Sequence, residues 1–309
     1  MPSSYRIAVV GFPESGKTTL ITAVFAFLFR RGIKGASIVP RGEETIKRIN
    51  ENMEQLELGR PLGRTKDQDV FAYRAEVKLK SFIVPRHYKL EIGDFPGENS
   101  VAFAEEYGDW LHLTRYFEWA ISADAFLFVV DTGRVLLDDS GEYVAGQKRA
   151  LRAAWQRLQE YHLEGAADVR TKPLVLIFAK ADLLLVRDSS KIRELAFGQE
   201  SPPLASLDTP KSLNREVDAI IERFGDLIEY FERENRRFDI VFASVFINVK
   251  EERLGIPRIA RFIMPSRKGG GIHRDKKSQF EVMNNLQSSQ QHKAWSARQT
   301  RKPRHPNNQ

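Results

Sequence analysis

The chain has 309 residues, 42% of them hydrophobic, no cysteine and a formal charge of +7. That length buries one large core or two small ones, and the missing thiols exclude a disulfide framework, a thiolate metal site and a cysteine nucleophile. A cysteine-free chain suits a reducing cytosol. MPSSYRIAVV at the N-terminus lacks the regions of a leader, and no apolar run approaches the roughly 18 residues of a membrane span, so the expectation is a soluble, cytoplasmic protein.

In chain order, residues 5–11 read as a buried strand and 17 to 30 as a packed helix. Between them Gly11-Phe12-Pro13-Glu14-Ser15-Gly16-Lys17-Thr18 fits G-x-x-x-x-G-K-[ST], in the strand-to-helix setting that a phosphate cradle needs. Glycines let successive backbone N–H groups turn inward on phosphate oxygens, and the helix N-terminus adds its positive field. Lys17 is then the cation for the β- and γ-phosphates, the Thr18 hydroxyl a Mg²⁺ ligand, and Pro13, Glu14, Ser15 and Thr19 further members of the cradle. The stretch GEETIKRINENMEQLELG that follows is an extra helical pattern.

Strand-like runs come next at 69–80 and 88–94. The second ends in Asp94-Phe95-Pro96-Gly97-Glu98, which lets Asp94 reach a metal and the Gly97 N–H meet a γ-phosphate. A helical pattern near 105–120, with Trp110, Leu113 and Phe117 at helical spacing, reads as a packed helix. Further strands are expected at 125–131, 173–179 and 238–246, and helices at 145–162, 211–234 and 256–264. The strand PLVLIF runs into Ala179-Lys180-Ala181-Asp182, where a carboxylate accepts from both N1–H and N2–H₂ of guanine, a pair of donors that adenine lacks. Lys180 lays its aliphatic stem along the base. Alternating strands and helices argue for a mostly parallel sheet covered on both faces, with ligands at the carboxyl ends of its strands.

The last segment, residues 265–309, carries ten Lys or Arg against two acidic residues, a balance of +8, which leaves the body at −1. Rich in Gly, Ser, Gln and Asn, it is expected to be disordered, either as a solubilising end or as a hold on nucleic acid, an anionic membrane surface or an acidic partner.

The three motifs in this order resemble the Ras-like, translation-factor-related class of P-loop GTPases over residues 5 to 264. The resemblance implies an α/β three-layer sandwich on a mostly parallel six-stranded sheet, with a G domain over 1–264 and insertions near 31–64 and 183–237. It implies GTP hydrolysed to GDP with Mg²⁺, and two loops ordered by the γ-phosphate and released afterwards. Carried over by position, the switch I threonine, a metal and catalytic residue, is Thr65, with Thr45 the other choice. The loop after the last strand that touches the base falls at Ala243-Ser244-Val245, matched at Ser244.

Three departures bear on activity. Glu98 stands where a glutamine often orients the attacking water, and its negative charge near the γ-phosphate implies slow unassisted hydrolysis. Ala179 lacks the amide or hydroxyl that braces the guanine element, and the span from Lys17 to Thr65 is long. That length, with GRPLGRT, is similar to the double-GTPase-like proteins of prokaryotic conflict systems, and Arg64 beside Thr65 reads as a surface arginine near phosphates rather than a finger in cis. The expected partners are guanine nucleotide, a protein effector or operon partner, and a nucleotide-dependent second copy. An ATPase with an incidental KxD, and a module that binds nucleotide without turning it over, are the alternatives.

Overall fold

The structure is a computed structural model and describes residues 3–63, 71–80, 86–98, 114–163, 169–197, 205–207, 214–249 and 251–265. Seven strands form the main sheet: β1 (Ser3–Gly11), β2 (Ala36–Pro40), β3 (Phe71–Leu79), β4 (Arg86–Asp94), β5 (Ala125–Asp131), β6 (Leu174–Ala179) and β8 (Phe238–Phe242), in the order β2-β3-β4-β1-β5-β6-β8. Only β3 runs against its neighbours; β4, β1, β5, β6 and β8 are mutually parallel. β5 and β6 are buried at every residue, the continuous apolar pattern of strands covered on both faces. β3 instead alternates, burying Tyr73, Ala75, Val77 and Leu79 while Arg74 and Lys78 stay exposed.

Alternation along β1 divides the core. Ile7 and Val9 point into a layer formed by α1 (Lys17–Arg30), α2 (Glu43–Glu57) and α9 (Ile256–Ile263). Ala8 and Val10 point into the opposite layer, which contains α3 (Thr114–Ile121), α5 (Glu142–Leu163), α7 (Asn214–Arg223) and α8 (Gly225–Glu234). There Trp155 is fully buried, its ring edge-on to Phe126 at 5.7 Å and to Phe231 at 6.3 Å. The short helices α4 (Thr132–Leu136) and α6 (Ser189–Phe197) follow β5 and the turn after β6. β7 (Ala205–Leu207), β9 (Ile247–Val249) and β10 (Glu252–Arg253) make a separate small sheet.

The expectation of six strands is corrected to seven. The extra strand is β2, which enters the edge through antiparallel pairing with β3, Ile38 opposite Val77. Five residues that only half-bury one side of an edge carry too little pattern to stand out among the loops of an insertion. The helix expected over 211–234 is two helices, because Phe224 leaves helical geometry at φ −101°, ψ 6° and sinks its ring against Phe178 at 5.1 Å. The strand expected over 238–246 stops at Phe242, which frees 243–245 to form a loop. The insertion after α1 is anchored by α2, whose Ile49, Met53 and Leu56 are buried beside α1. Asn52 of α2 donates to the Thr22 hydroxyl at 3.1 Å and to the Tyr73 hydroxyl at 3.3 Å. Among the described residues, no helix is long and apolar enough to cross a membrane.

Candidate functional site: a phosphate and purine cleft

A cleft of about 640 Å³ opens at the carboxyl ends of β1, β4, β6 and β8. The loop from Pro13 to Gly16 and the first turn of α1 form its floor. Gly16 has φ +90°, a left-handed backbone that suits glycine, and it stands at the N-cap of α1, whose first turn lines the cleft. The Lys17 ammonium donates to the carbonyls of Gly11 and Phe12, both at 2.9 Å. Glu14 is left-handed as well, at φ +63°, and its carboxylate is held by the Arg134 guanidinium at 2.7 Å.

Behind this floor the Thr18 hydroxyl donates to Asp94 Oδ1 at 3.0 Å. Burial pushes the Asp94 carboxyl up to about 6, against the pull of the Thr18 hydrogen bond and the charges of Lys17 and Arg48. Gly97 presses on the same loop: a Cβ there would lie 2.3 Å from the Pro13 nitrogen, so no other residue fits in this arrangement. Glu98 follows it, half-buried.

At the other end, Lys180 sits in a left-handed turn at φ +57°, and its ammonium pairs with Asp131 at 2.8 Å. Asp131 also accepts from the Arg134 N–H at 3.2 Å, so a single buried carboxylate anchors Lys180 and α4, while the guanidinium of Arg134 reaches on to Glu14. The Ser244 hydroxyl donates to Asp182 Oδ1 and accepts from the Phe246 N–H at 2.9 Å. Burial raises the Asp182 carboxyl above its ordinary range, partly offset by that Ser244 bond. Ala179 lies beside the phosphate loop, its methyl 3.7 Å from where a Cβ of Gly16 would stand, an apolar contact in place of a polar brace.

These elements meet in one cleft, and a family model described as "Double-GTPase 2" matches residues 5–223. The chain belongs to the Double-GTPase 2 family. It is therefore a P-loop GTPase of Ras-like type. Among solved structures, the signal recognition particle receptor SRb-GTP/SRX complex from Chaetomium thermophilum is similar at a TM-score of 0.43 and 16% identity, covering 84% of this chain and 98% of that one. The Arl6 BBS3 small GTPase from Trypanosoma brucei with bound GppNp gives 0.35, 13%, 84% and 95%. Methanosarcina barkeri Roco2 RocCORdC bound to GDP gives 0.31, 14%, 84% and 48%. These three TM-scores lie below 0.5, and the fold is given by this chain's own sheet order and phosphate loop. No curated protein sequence matches it.

In this double-GTPase-family chain the residues Pro13, Glu14, Ser15, Gly16, Lys17, Thr18, Thr19, Gly97, Ala179, Lys180, Asp182, Ser244 and Val245 all line the cleft. Gly11 and Asp94 lie directly behind it, bonded to Lys17 and Thr18. Thr65 and Arg64 fall outside the described residues, as does the tail from 266 on. Thr45 is buried in the first turn of α2 and accepts from the Arg74 N–H at 3.4 Å; it lines a second cavity and not this cleft. Sequence reasoning missed the walls. Leu56 and Arg60–Gly63 come from the insertion, Leu195 and Ala196 from α6, and Phe246 and Ile256 from beyond β8. None sits in the phosphate, DxxG or KxD motif, although Arg60–Gly63 belong to the GRPLGRT stretch noted in the sequence; only the fold brings them here.

A hydroxyl and a buried carboxylate oxygen 3.0 Å apart beside a phosphate cradle are a hard-oxygen donor set that fits Mg²⁺, which takes few protein ligands and completes its shell with phosphate and water. Among the described residues, no group of three or more His, Cys, Asp or Glu is placed to hold a metal ion.

Proposed function

We propose that the chain binds GTP with Mg²⁺, hydrolyses it slowly to GDP and passes the change of state to a partner in the cytoplasm. The observation that carries this reading is the single cleft holding Lys17 and the Thr18–Asp94 pair at one end and the Asp182–Ser244 pair at the other. Lys17 would leave its two carbonyls for the β- and γ-oxygens, a short move that replaces neutral acceptors with anionic ones. Bound at Thr18 and Asp94, Mg²⁺ would supply charge neutralisation on those oxygens. The Gly97 N–H would meet the γ-phosphate after leaving Pro13, so the triphosphate and the diphosphate favour different positions of the loop after β4. Asp182, held by Ser244, would accept the guanine N1–H and N2–H₂ while the stem of Lys180, fixed by Asp131, covers the ring.

Glu98 follows Gly97 but does not line the cleft; drawn with Gly97 towards the γ-phosphate, its carboxylate would add negative charge there and keep hydrolysis slow without an activator. Thr65 belongs to this proposal as the second metal-side hydroxyl. The test is the nucleotide that copurifies, followed by phosphate release over many turnovers. Guanine nucleotide and a slow rate that disappears in Lys17→Ala support the proposal. Equal affinity for ATP and GTP overturns the guanine assignment, and binding without turnover leaves the non-hydrolysing module.

A further inference from the structure

A second cavity of about 590 Å³ lies on the far side of the loop after β4, between the start of α2, the start of β3 and α3. Arg6, Arg41, Arg74, Phe71 and Trp119 contribute to its walls. Among the described residues Phe95 alone lines both this cavity and the nucleotide cleft. In sequence it stands between Asp94, bonded to Thr18, and Gly97, pressed on Pro13.

Its ring is locked. It packs edge-on to Tyr116 at 5.0 Å and tilted against Trp119 at 5.8 Å. Gly93 lies underneath with no spare room: a Cβ there would sit 2.2 Å from Phe95 Cε2 and 3.0 Å from the Trp119 ring. Trp119 is itself fixed, its indole N–H donating to the Ile7 carbonyl at 3.0 Å and the Arg6 guanidinium lying 5.4 Å over its ring. A ring wedged this closely cannot slide by fractions of an ångström; packed interiors change between discrete arrangements.

We infer that Phe95 is a positioning residue that couples the γ-phosphate end of the cleft to the second cavity, with Trp119 on the receiving side. The inference rests on the GTP reading above. Drawing Gly97 from Pro13 towards a γ-phosphate pulls on the backbone two residues from Phe95, so the ring leaves its slot and the second cavity changes shape. By reciprocity, whatever holds the ring in its slot favours the diphosphate.

The test uses the full chain labelled with 5-fluorotryptophan, the Trp119 resonance being assigned by its loss in Trp119→Phe. In the wild type that resonance should move between Mg²⁺·GDP and a non-hydrolysable GTP analogue. In Phe95→Ala the movement should vanish and the ratio of triphosphate to diphosphate affinity should change by about fivefold or more, with Phe95→Leu intermediate. Gly93→Ala, which touches no cleft residue other than the ring it displaces, should alter the same ratio and keeps the test open if Phe95→Ala does not fold. A Trp119 signal that moves equally in Phe95→Ala, or an unchanged ratio in both Phe95→Leu and Gly93→Ala, overturns this inference alone. A wild type that binds no guanine nucleotide overturns it together with the GTP reading.

Discussion

Asp182 shows how much a single side chain decides. It is buried, its carboxyl is raised by that burial, and one of its oxygens is already committed to Ser244. A charge kept under those conditions costs stability and is retained where a partner repays it. In the proposed guanine contact, asparagine would keep one acceptor and set an N–H donor against the other of the two guanine donors. Asp182→Asn should weaken GTP by about a hundredfold and gain affinity for xanthosine triphosphate, whose carbonyl accepts from the new amide. Competition against a fluorescent nucleotide reads both changes. At this scale the motif residues were legible because a phosphate cradle is a local structure, specified by a handful of consecutive positions. Arg134 was not legible: it reaches Glu14 across 120 residues of sequence, and no spacing announces that contact.

Among the elements, α2 is the helix of the segment between β2 and β3. Its helical pattern was readable, since Ile49, Met53 and Leu56 recur at helical spacing and are the residues it buries. Its place was not readable, because any apolar stripe can cover any exposed sheet face. The structure lays it over α1 and β3, and the chain leaving it brings Arg60–Gly63 to the mouth of the cleft. Truncating Met53 to alanine should therefore cost about 2–4 kcal/mol, seen as a lower urea midpoint at constant slope. Nucleotide affinity should fall with it, since the same helix sets the cleft wall. β2 escaped sequence analysis for the opposite reason: its identity as a strand comes from the edge of β3 that it completes.

For the whole molecule, the buried Asp94 ties stability to pH. Burial pushes its carboxyl up to about 6 in the folded protein against an ordinary 3.8, so between those values the folded state holds more protons than the unfolded one. Stability should fall as pH rises from 4 to 6 and its contribution should be flat above, a loss of order 3 kcal/mol that Asp94→Asn removes. On the proposed function Mg²⁺·nucleotide would need the ionised form, and its affinity should then drop about tenfold per pH unit below 6. Thermal melts from pH 4.5 to 7.5, with and without Mg²⁺·GDP, separate the two slopes. The charge asymmetry gives a second expectation: with +8 in residues 265–309 and −1 in the rest, a chain ending at residue 264 should keep its nucleotide affinity and lose salt-dependent binding to polyanions. An unchanged salt slope in the shortened chain would leave the segment as a solubilising end.

The amino-acid sequence by itself determined the phosphate loop, the order of the motifs, the class of fold and the split between neutral body and basic end. Each of these depends on neighbours in the chain, on periodicity or on composition. The seventh strand, the burial of Thr45 away from the cleft, the Glu14–Arg134–Asp131–Lys180 connection and the shared wall at Phe95 were decided only by tertiary structure. They are contacts between segments far apart in sequence, and such contacts are fixed by which faces the packed layers leave for one another.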